Sequence, residues 1–290
     1  METIKRRLVW TLAILVFFFS LAAARTGYIQ VIRGEHYSRM ALAWGTSGVS
    51  LEDYSRGRIL DRHSRPLTGS YISNRILVFP ELLEDPDFTA TALSGATGAG
   101  LPAVSSMLSG GKPAILPIGV KGGQAGLIRE SGLKGVLVAP FSFRYGPRPL
   151  ASHVVGHLGK IRDTRELEEL NRTTGKKYRI SDWIGRQGLE YFYEKELRGM
   201  YPAAYAGLYT DALGKPLSGL PVFVNTKMND STRCDVVTTI DANIQDMVER
   251  VMDRHIKKGA VVVMDRSTGD LLAVASRPGY NPDPAVNDLL

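Results

Sequence analysis

The sequence predicts an α+β protein. It opens with one membrane-spanning helix, continues through short strands and turns, and finishes with a strand, a helix and a hairpin. Three observations predict this. Residues 8–24, "LVWTLAILVFFFSLAAA", carry no charge and only Thr11 and Ser20 as polar side chains. From residue 56 onward, short apolar runs alternate with turns bearing Gly and Pro, the pattern of strands rather than long helices. Residues 258–282, "KGAVVVMDRSTGDLLAVASRPGYNP", hold two apolar runs around a polar loop.

The apolar segment comes first. Its 17 residues would span about 26 Å as a helix, at the short end of what crosses a bilayer core. Lys5, Arg6 and Arg7 precede it, so the positive-inside rule predicts a cytoplasmic tail at 1–7, an anchor at 8–24 and an extracytoplasmic remainder. Ala22, Ala23 and Ala24 resemble a signal-peptide cleavage site, but the segment's length and its amphipathic continuation, "TGYIQVIRGEHYSRMAL", favour an uncleaved anchor. A helix is expected over residues 28–42.

Next, "RGRILDRHSRPLTGS" (56–70) places Arg56, Arg58, Asp61 and Arg62 within seven positions around Gly57, and "YISNRILVFP" (71–80) reads as a strand. Residues 84–135, rich in Gly, Ala and Ser, have little periodicity and read as an irregular insertion with short helices. Short strands and turns return over 133–161. "GRQGLEYFYEKELRG" (185–199) has Gly185 and Gly188 ahead of an amphipathic helix, and "YTDALGKPLSGLPV" (209–222) is hairpin-like. A strand at 236–240 leads to Asp241, a helix cap, and to Ile244, Met247, Val248, Val251 and Met252 at helical spacing. The runs 260–264 and 271–275 read as strands buried on both faces, joined by a loop in which Gly269 can take positive φ. Such a hairpin needs edge partners and covering layers, so the segment reads as the first part of a domain. No internal repeat is present.

At 290 residues, 44% hydrophobic and 22% charged, the composition is that of a globular protein. Cys234 is the single cysteine, which excludes an internal disulfide and a multi-cysteine metal site. The net charge is +7, of which Lys5, Arg6, Arg7 and Arg25 against Glu2 supply +3 within residues 1–26. The remainder is too diffuse for nucleic acid; it is what ordinary solubility requires and also suits a membrane surface or cell wall.

Three groups of residues are candidates for chemistry. His153 and His157 are four apart, a metal-ligand spacing on a helix, but Gly156 and the two valines between them point to a strand, where the two rings lie too far apart for one ion. Arg56, Asp61 and Arg62 are grouped with no nucleophile. They read as a structural ion-pair node, with Gly57 allowing a close backbone approach and Glu190 as a long-range partner for one arginine. The pattern S-x-x-K occurs at Ser109–Lys112 and Ser131–Lys134, neither at the start of an apolar helix, and neither reads as a nucleophile.

Taken in order, "GYIQVIRGEHY", "RGRILDR", "RYGPRPLASHVVGHLG", "GRQGLEYFYEKELRG", "VVTTIDANIQDMVE" and "GAVVVMDRSTGDLLAVASRPGYNP" resemble class B penicillin-binding proteins, the membrane-anchored D,D-transpeptidases of bacterial cell-wall synthesis. The resemblance implies an elongated, noncatalytic pedestal (the dimerisation domain) over 25–228, including the insertion at 84–135, and the start of a serine transpeptidase domain over 229–290. It implies that Arg56, Gly57, Asp61, Arg62, Gly185, Gly188 and Glu190 hold the pedestal together and set its angle to the catalytic domain. His63-Ser64-Arg65 departs from the family's short polar residue followed by Gly, and Met200-Tyr201 replaces a Gly-rich turn.

The family's nucleophilic serine attacks a peptide carbonyl with lysine managing its proton. The chain is expected to stop before the Ser-x-x-Lys, Ser-x-Asn and Lys-Thr-Gly elements, and so to be inactive alone. No cofactor, metal or nucleic acid is implied. The implied partners are the cytoplasmic membrane, peptidoglycan, and division, elongation or sporulation membrane proteins. A complete, noncatalytic membrane-anchored module binding such partners is the alternative, and a β-lactam-sensing receptor fits less well.

Overall fold

A computed structural model describes residues 2–29, 33, 46–211, 215–217, 220–225 and 230–283. The chain forms two compact units, Met1–Ser47 with Leu208–Pro221 and Gly48–Gly207 with Val222–Leu290. The architecture is mixed α/β with a strand-rich body. In chain order its elements are α1 (Glu2–Gly27), β1 (Thr46–Ser50), β2 (Ile59–Leu60), β3 (Tyr71–Val78), α2 (Pro86–Thr97), α3 (Leu101–Leu108), β4 (Ala114–Val120), α4 (Gly122–Glu130) and β5 (Val136–Phe143). They continue as α5 (Ser152–Val155), β6 (Leu158–Lys160), α6 (Thr164–Thr174), β7 (Trp183–Gly185), α7 (Gly188–Phe192), α8 (Glu194–Leu197), β8 (Tyr205–Tyr209), β9 (Phe223–Asn225), β10 (Val236–Val237), α9 (Ala242–His255), β11 (Gly259–Met264) and β12 (Leu271–Arg277).

In the first unit, α1 is one continuous helix. Its window Trp10–Gly27 has a mean hydropathy of 1.5 and no buried side chain, so Trp10, Phe17, Phe18, Phe19 and Leu21 all face outward. A helix that is apolar all round is suited to lipid. The helix expected over 28–42 falls almost wholly outside the described residues. The expected hairpin over 209–222 is visible at its base: Leu217 N–H donates to Tyr209 O (2.8 Å) and Asp211 N–H to Lys215 O (2.9 Å).

The short helices expected over residues 84–135 are present, but with β4 they form an ordered layer rather than an irregular insertion. β3 is the centre of an antiparallel sheet ordered β4-β3-β5, paired to β5 from Tyr71↔Phe143 to Val78↔Val136. Helices α2, α3 and α4 lay Ala90, Leu93, Val104, Leu108, Ala125 and Ile128 against Ile76, Val78, Leu116 and Val138 of the sheet. Each fully buried Leu, Ile or Val contributes about 1.5–3 kcal/mol, so this small layer has a core of its own. Asp85 caps α2 by accepting from the Asp87 and Phe88 amides, Pro86 starts it, and Gly98 ends it at φ 76°. Sequence periodicity is weak here because Ala, Gly and Ser occupy many core-facing and flanking positions.

The C-terminal segment also differs in detail from expectation. α9 is capped by Asp241 as expected, but its most buried residues are Gln245 and Met252, while Met247 and Val251 are exposed. Gln245 bonds the β12 main chain in both directions, accepting from Val274 N–H (2.8 Å) and donating to Val274 O (2.9 Å). The hairpin runs from Gly259↔Arg277 to Met264↔Leu271, with a bulge near its turn. Among the described residues it is covered on one face only: Ala273 and Ala275 are buried, while Val262, Met264 and Leu271 are exposed. The continuous Val and Leu run predicted burial on both faces, but α9 packs on one side of β12 and β11 forms an edge.

Candidate functional site

Four charged side chains from three distant segments meet in the interior of the second unit. The chain between β1 and β2 brings in Arg56, the end of β5 brings in Arg144, and the short helices α7 and α8 bring in Glu190 and Glu194. Arg56 and Arg144 are 4% and 3% exposed and Glu190 is 0% exposed. Arg56 Nε donates to Glu190 Oε2 (3.1 Å) and its Nη1 pairs with Glu194 Oε2 (2.8 Å). Arg144 Nε donates to the other oxygen of Glu190 (2.7 Å), which also accepts from the Tyr145 hydroxyl (3.0 Å). Glu194 accepts from the Tyr178 hydroxyl (2.9 Å) and the Gly185 amide (2.8 Å).

The node is electrically balanced, with two guanidinium and two carboxylate groups. Balance is what makes it tolerable, because an unpaired charge in such a site is costly. Burial opposes charge on Glu190, but Arg144 and Arg56 outweigh it and hold the carboxyl below the usual glutamate value. Burial, and then the negative Glu190, push the Tyr145 phenol well above its usual range, so it acts as a donor.

Gly57 shows why a glycine follows Arg56. A Cβ there would overlap the Cys234 carbonyl, while the Gly57 amide donates to Leu197 O (2.8 Å) and its carbonyl accepts from Arg144 Nη1 (2.6 Å). The same logic holds where α5 ends against the start of α7. Gly156 (φ 84°) and Gly188 (φ 61°) approach each other's segments closely enough that a side chain on either would meet backbone. Gly185 is closed in by the main chain at Glu190.

From Gly57 the chain runs as a seam along residues 234–243. Arg58 holds Asp235 through its amide (2.6 Å) and guanidinium (2.7 Å). β2 pairs in parallel with β10, Ile59↔Val236 and Leu60↔Val237. Arg62 N–H donates to Ile240 O (2.8 Å). Asp61, 0% exposed, accepts from the amides of His63 (2.8 Å), Arg65 (2.8 Å) and Ala242 (3.2 Å), the last at the start of α9. Arg65 Nη2 pairs with Asp61 (2.6 Å) and with the cap residue Asp241 (3.3 Å). Burial opposes charge on Asp61, but the Arg65 side chain and these amides outweigh it and bring the carboxyl down to about 2.

The structure therefore separates the group Arg56, Asp61 and Arg62. Arg56 joins Glu190, Asp61 joins Arg65 and α9, and the Arg62 side chain is exposed. Side chains along an extended stretch point to different neighbours, so proximity in sequence does not make one cluster. Asp61, His63 and Asp241 do lie with their ligand atoms within 4.8 Å of one another, and Arg65 supplies the cation there. The left-handed turn occurs at Ser64 (φ 61°), within the departure His63-Ser64-Arg65.

His153 lies on the short helix α5, not on a strand, because the Ala151 turn feeds one helical turn that Gly156 ends. Both rings, His153 and His157, meet the Tyr280 ring edge-on at centroid distances of 5.0 and 5.9 Å. Burial and then Arg186 lower the His157 pKa. In the two S-x-x-K matches the serines bond their own helices: Ser109 Oγ donates to Ser105 O (2.9 Å) and Ser131 Oγ to Ile128 O (2.7 Å). Lys134 pairs instead with Glu84 (2.6 Å). Sequence reasoning did not single out Arg144, Tyr145, Glu194 or Arg65. The signal for the first two was an Arg-Tyr pair ending an apolar strand.

Residues 52–228 match the family described as Penicillin-binding Protein dimerisation domain. The chain is 27% identical to Stage V sporulation protein D of Bacillus subtilis (strain 168), covering 98% of this chain and 42% of that protein. It is 31% identical to the peptidoglycan D,D-transpeptidase MrdA of Escherichia coli (strain K12), over 53% of this chain and 23% of that protein. Penicillin-binding protein PBP2 of Helicobacter pylori, solved in complex with MreC, superposes with a TM-score of 0.51 at 21% identity, over 81% of this chain and 43% of that one. The chain thus spans about two fifths of the sporulation protein's length.

Proposed function

The chain belongs to the penicillin-binding protein dimerisation-domain family, and from that premise we propose that it is the anchor, pedestal and opening of the catalytic domain of a peptidoglycan D,D-transpeptidase. In this reading α1 anchors the protein in the bacterial cytoplasmic membrane with residues 1–7 inside, as Lys5, Arg6 and Arg7 favour. Residues 25–228 form the pedestal and 229–290 begin the transpeptidase domain. The whole protein cross-links peptidoglycan stem peptides. The pedestal is also the surface for a membrane-protein partner, a role suggested by the H. pylori protein's complex with MreC.

The observation that carries the reading is the seam. Gly57, Arg58, Leu60, Asp61 and Arg65 bind residues 234–243 by backbone pairing, ion pairs and contact with the start of α9. Such a connection lets the pedestal set the orientation of whatever α9 and the hairpin support. Gly57 and Asp61 serve as structural residues in the seam, and Arg56, Gly185, Gly188 and Glu190 in the buried node and the close approaches beside it. The exposed apolar residues Val262, Met264 and Leu271 support the hairpin's membership of a larger sheet.

The test is acylation by a fluorescent penicillin, followed by mapping of the labelled peptide. The product of the gene's entire reading frame should be labelled on a serine outside residues 1–290, while the 290-residue chain should stay unlabelled. Labelling within residues 1–290, or an entire product that takes no label, would overturn the reading.

A further inference from the structure

A cleft of about 490 Å³ opens on the second unit between residues 50–56, 177–183 and 198–201. That volume is within the range of small-ligand sites. Its walls carry the aromatic residues Tyr54, Trp183 and Tyr201. Tyr54 and Trp183 meet edge to face at 5.7 Å and the Lys160 ammonium lies over the Trp183 ring at 5.3 Å, which fixes both rings and leaves Tyr201 as the ring with no ring or cation contact among the described residues.

The charges are unevenly committed. Each carboxylate lining the cleft is already bound. Glu52 pairs with Arg233 (3.1 Å), Asp182 with Arg198 (2.5 Å), and Asp53 accepts from the amides of Tyr54 and Arg144 (both 2.8 Å). Two cations are not. Lys177 and the Arg179 guanidinium have no hydrogen-bond or ion-pair partner among the described residues, and both are exposed at the rim. The Trp183 indole N–H and the Tyr201 hydroxyl likewise have no partner among the described residues, although such groups usually find one when they are partly buried.

Aromatic walls, unengaged donors and two unpaired cations together select a ligand with apolar C–H faces, several oxygen acceptors and a negative charge. We propose that this cleft binds an anionic saccharide, and specifically a disaccharide of the cell-wall glycan whose lactyl carboxylate is free, as on a stretch of strand that carries no stem peptide. A pyranose C–H face packs on the Tyr201 ring, and the Trp183 N–H and Tyr201 O–H meet ring oxygens. Lys177 and Arg179 take the carboxylate in charge-assisted hydrogen bonds. The choice of a cell-wall glycan rests on the proposed function; the anionic-saccharide chemistry is the cleft's own. Bound there, a peptide-free stretch of the strand would be held on the pedestal.

The test is isothermal titration of the full chain in detergent with N-acetylglucosaminyl-N-acetylmuramic acid, with neutral chitobiose, and with the free acidic stem tetrapeptide. Saturable binding of the muramic disaccharide is expected, with chitobiose weaker by at least about tenfold, and no binding of the tetrapeptide. Lys177→Ala/Arg179→Ala, at exposed side chains, should weaken the disaccharide by at least about tenfold with an unchanged melting curve, as expected for the loss of two charge-assisted bonds. Trp183→Phe, which keeps a ring and removes the N–H, should weaken it less.

Equal affinity for chitobiose, binding of the tetrapeptide alone, full affinity in the double variant or no disaccharide binding would each overturn the proposal. Penicillin labelling of the entire gene product would survive any of those results, so this inference can fail without the proposed function failing.

Discussion

Replacing Glu190 with glutamine tests the buried node most directly. The side chain keeps its shape, so packing is nearly unchanged, but one of two negative charges is lost between Arg56 and Arg144. Glu194 alone then faces two guanidinium groups, and a net positive charge is left in a site where Arg56 and Arg144 are 4% and 3% exposed. The new amide NH₂ must also point at a guanidinium instead of accepting from it. Removing one partner of a buried pair costs about 3–5 kcal/mol. For a unit of this size each kcal/mol lowers Tm by about 2–4 °C, so a fall of roughly 6–20 °C follows.

The measurement is thermal unfolding of wild type and Glu190→Gln by near-ultraviolet circular dichroism, across pH. The folded-state pKa of Glu190 lies below its usual 4.5. The wild-type advantage is therefore full above that value and is lost as pH falls through the lower, folded value. The two curves should be well separated at neutral pH and converge in acid. Arg144→Met added to Glu190→Gln should cost less than the sum of the single changes, because the second change removes the charge the first left unpaired. A loss below about 1 kcal/mol at pH 7 would refute the reasoning.

Three further outcomes are expected. Asp61→Asn should destabilise by about 1–3 kcal/mol through loss of charged hydrogen bonds and loosen the start of α9; with the carboxyl at about 2, the wild-type contribution is complete above pH 3.8 and is lost as pH falls toward 2, which acid unfolding curves of the two proteins would reveal. Gly57→Ala puts a methyl into the Cys234 carbonyl, so the seam must open by a backbone shift costing about 1–3 kcal/mol or more; limited proteolysis should then cut within residues 230–243 earlier than in wild type, and an unchanged digestion pattern would count against the close approach. Ser64→Gly relieves a left-handed residue (φ 61°) and should stabilise by up to about 1 kcal/mol, the relief partly offset by the greater freedom of glycine in the unfolded chain, as read from the urea midpoint.

Elements defined by local pattern were legible in the sequence. The apolar helix, the Asp241 cap and the closing hairpin each depend on neighbours within a few residues. Residues 84–135 were not legible. Their helices carry Ala90, Ala125 and other small residues toward the core, and small side chains give a weak periodic signal even when fully buried. Burial on both faces of the hairpin was expected from a continuous apolar run, but Gln245 took the central place under β12 by bonding Val274. Apolar periodicity cannot register a glutamine that acts as a strand partner.

The charged residues show the same division. Arg56, Gly57 and Glu190 could be picked out because their types are unusual beside glycines. Their partners could not, since the Arg56–Glu190 contact spans 134 positions and Arg144 approaches from a third segment. By itself, the sequence determined the apolar N-terminal helix, the order of the motifs and the family they resemble, all consequences of composition and short-range spacing. Only the tertiary structure decided that Asp61 answers to Arg65 rather than Arg62, that Arg144 and Glu194 complete the node, and that Lys177 and Arg179 have no ion-pair partner among the described residues. Charge compensation and desolvation depend on which groups are brought together once water is removed, and that is set by the whole fold.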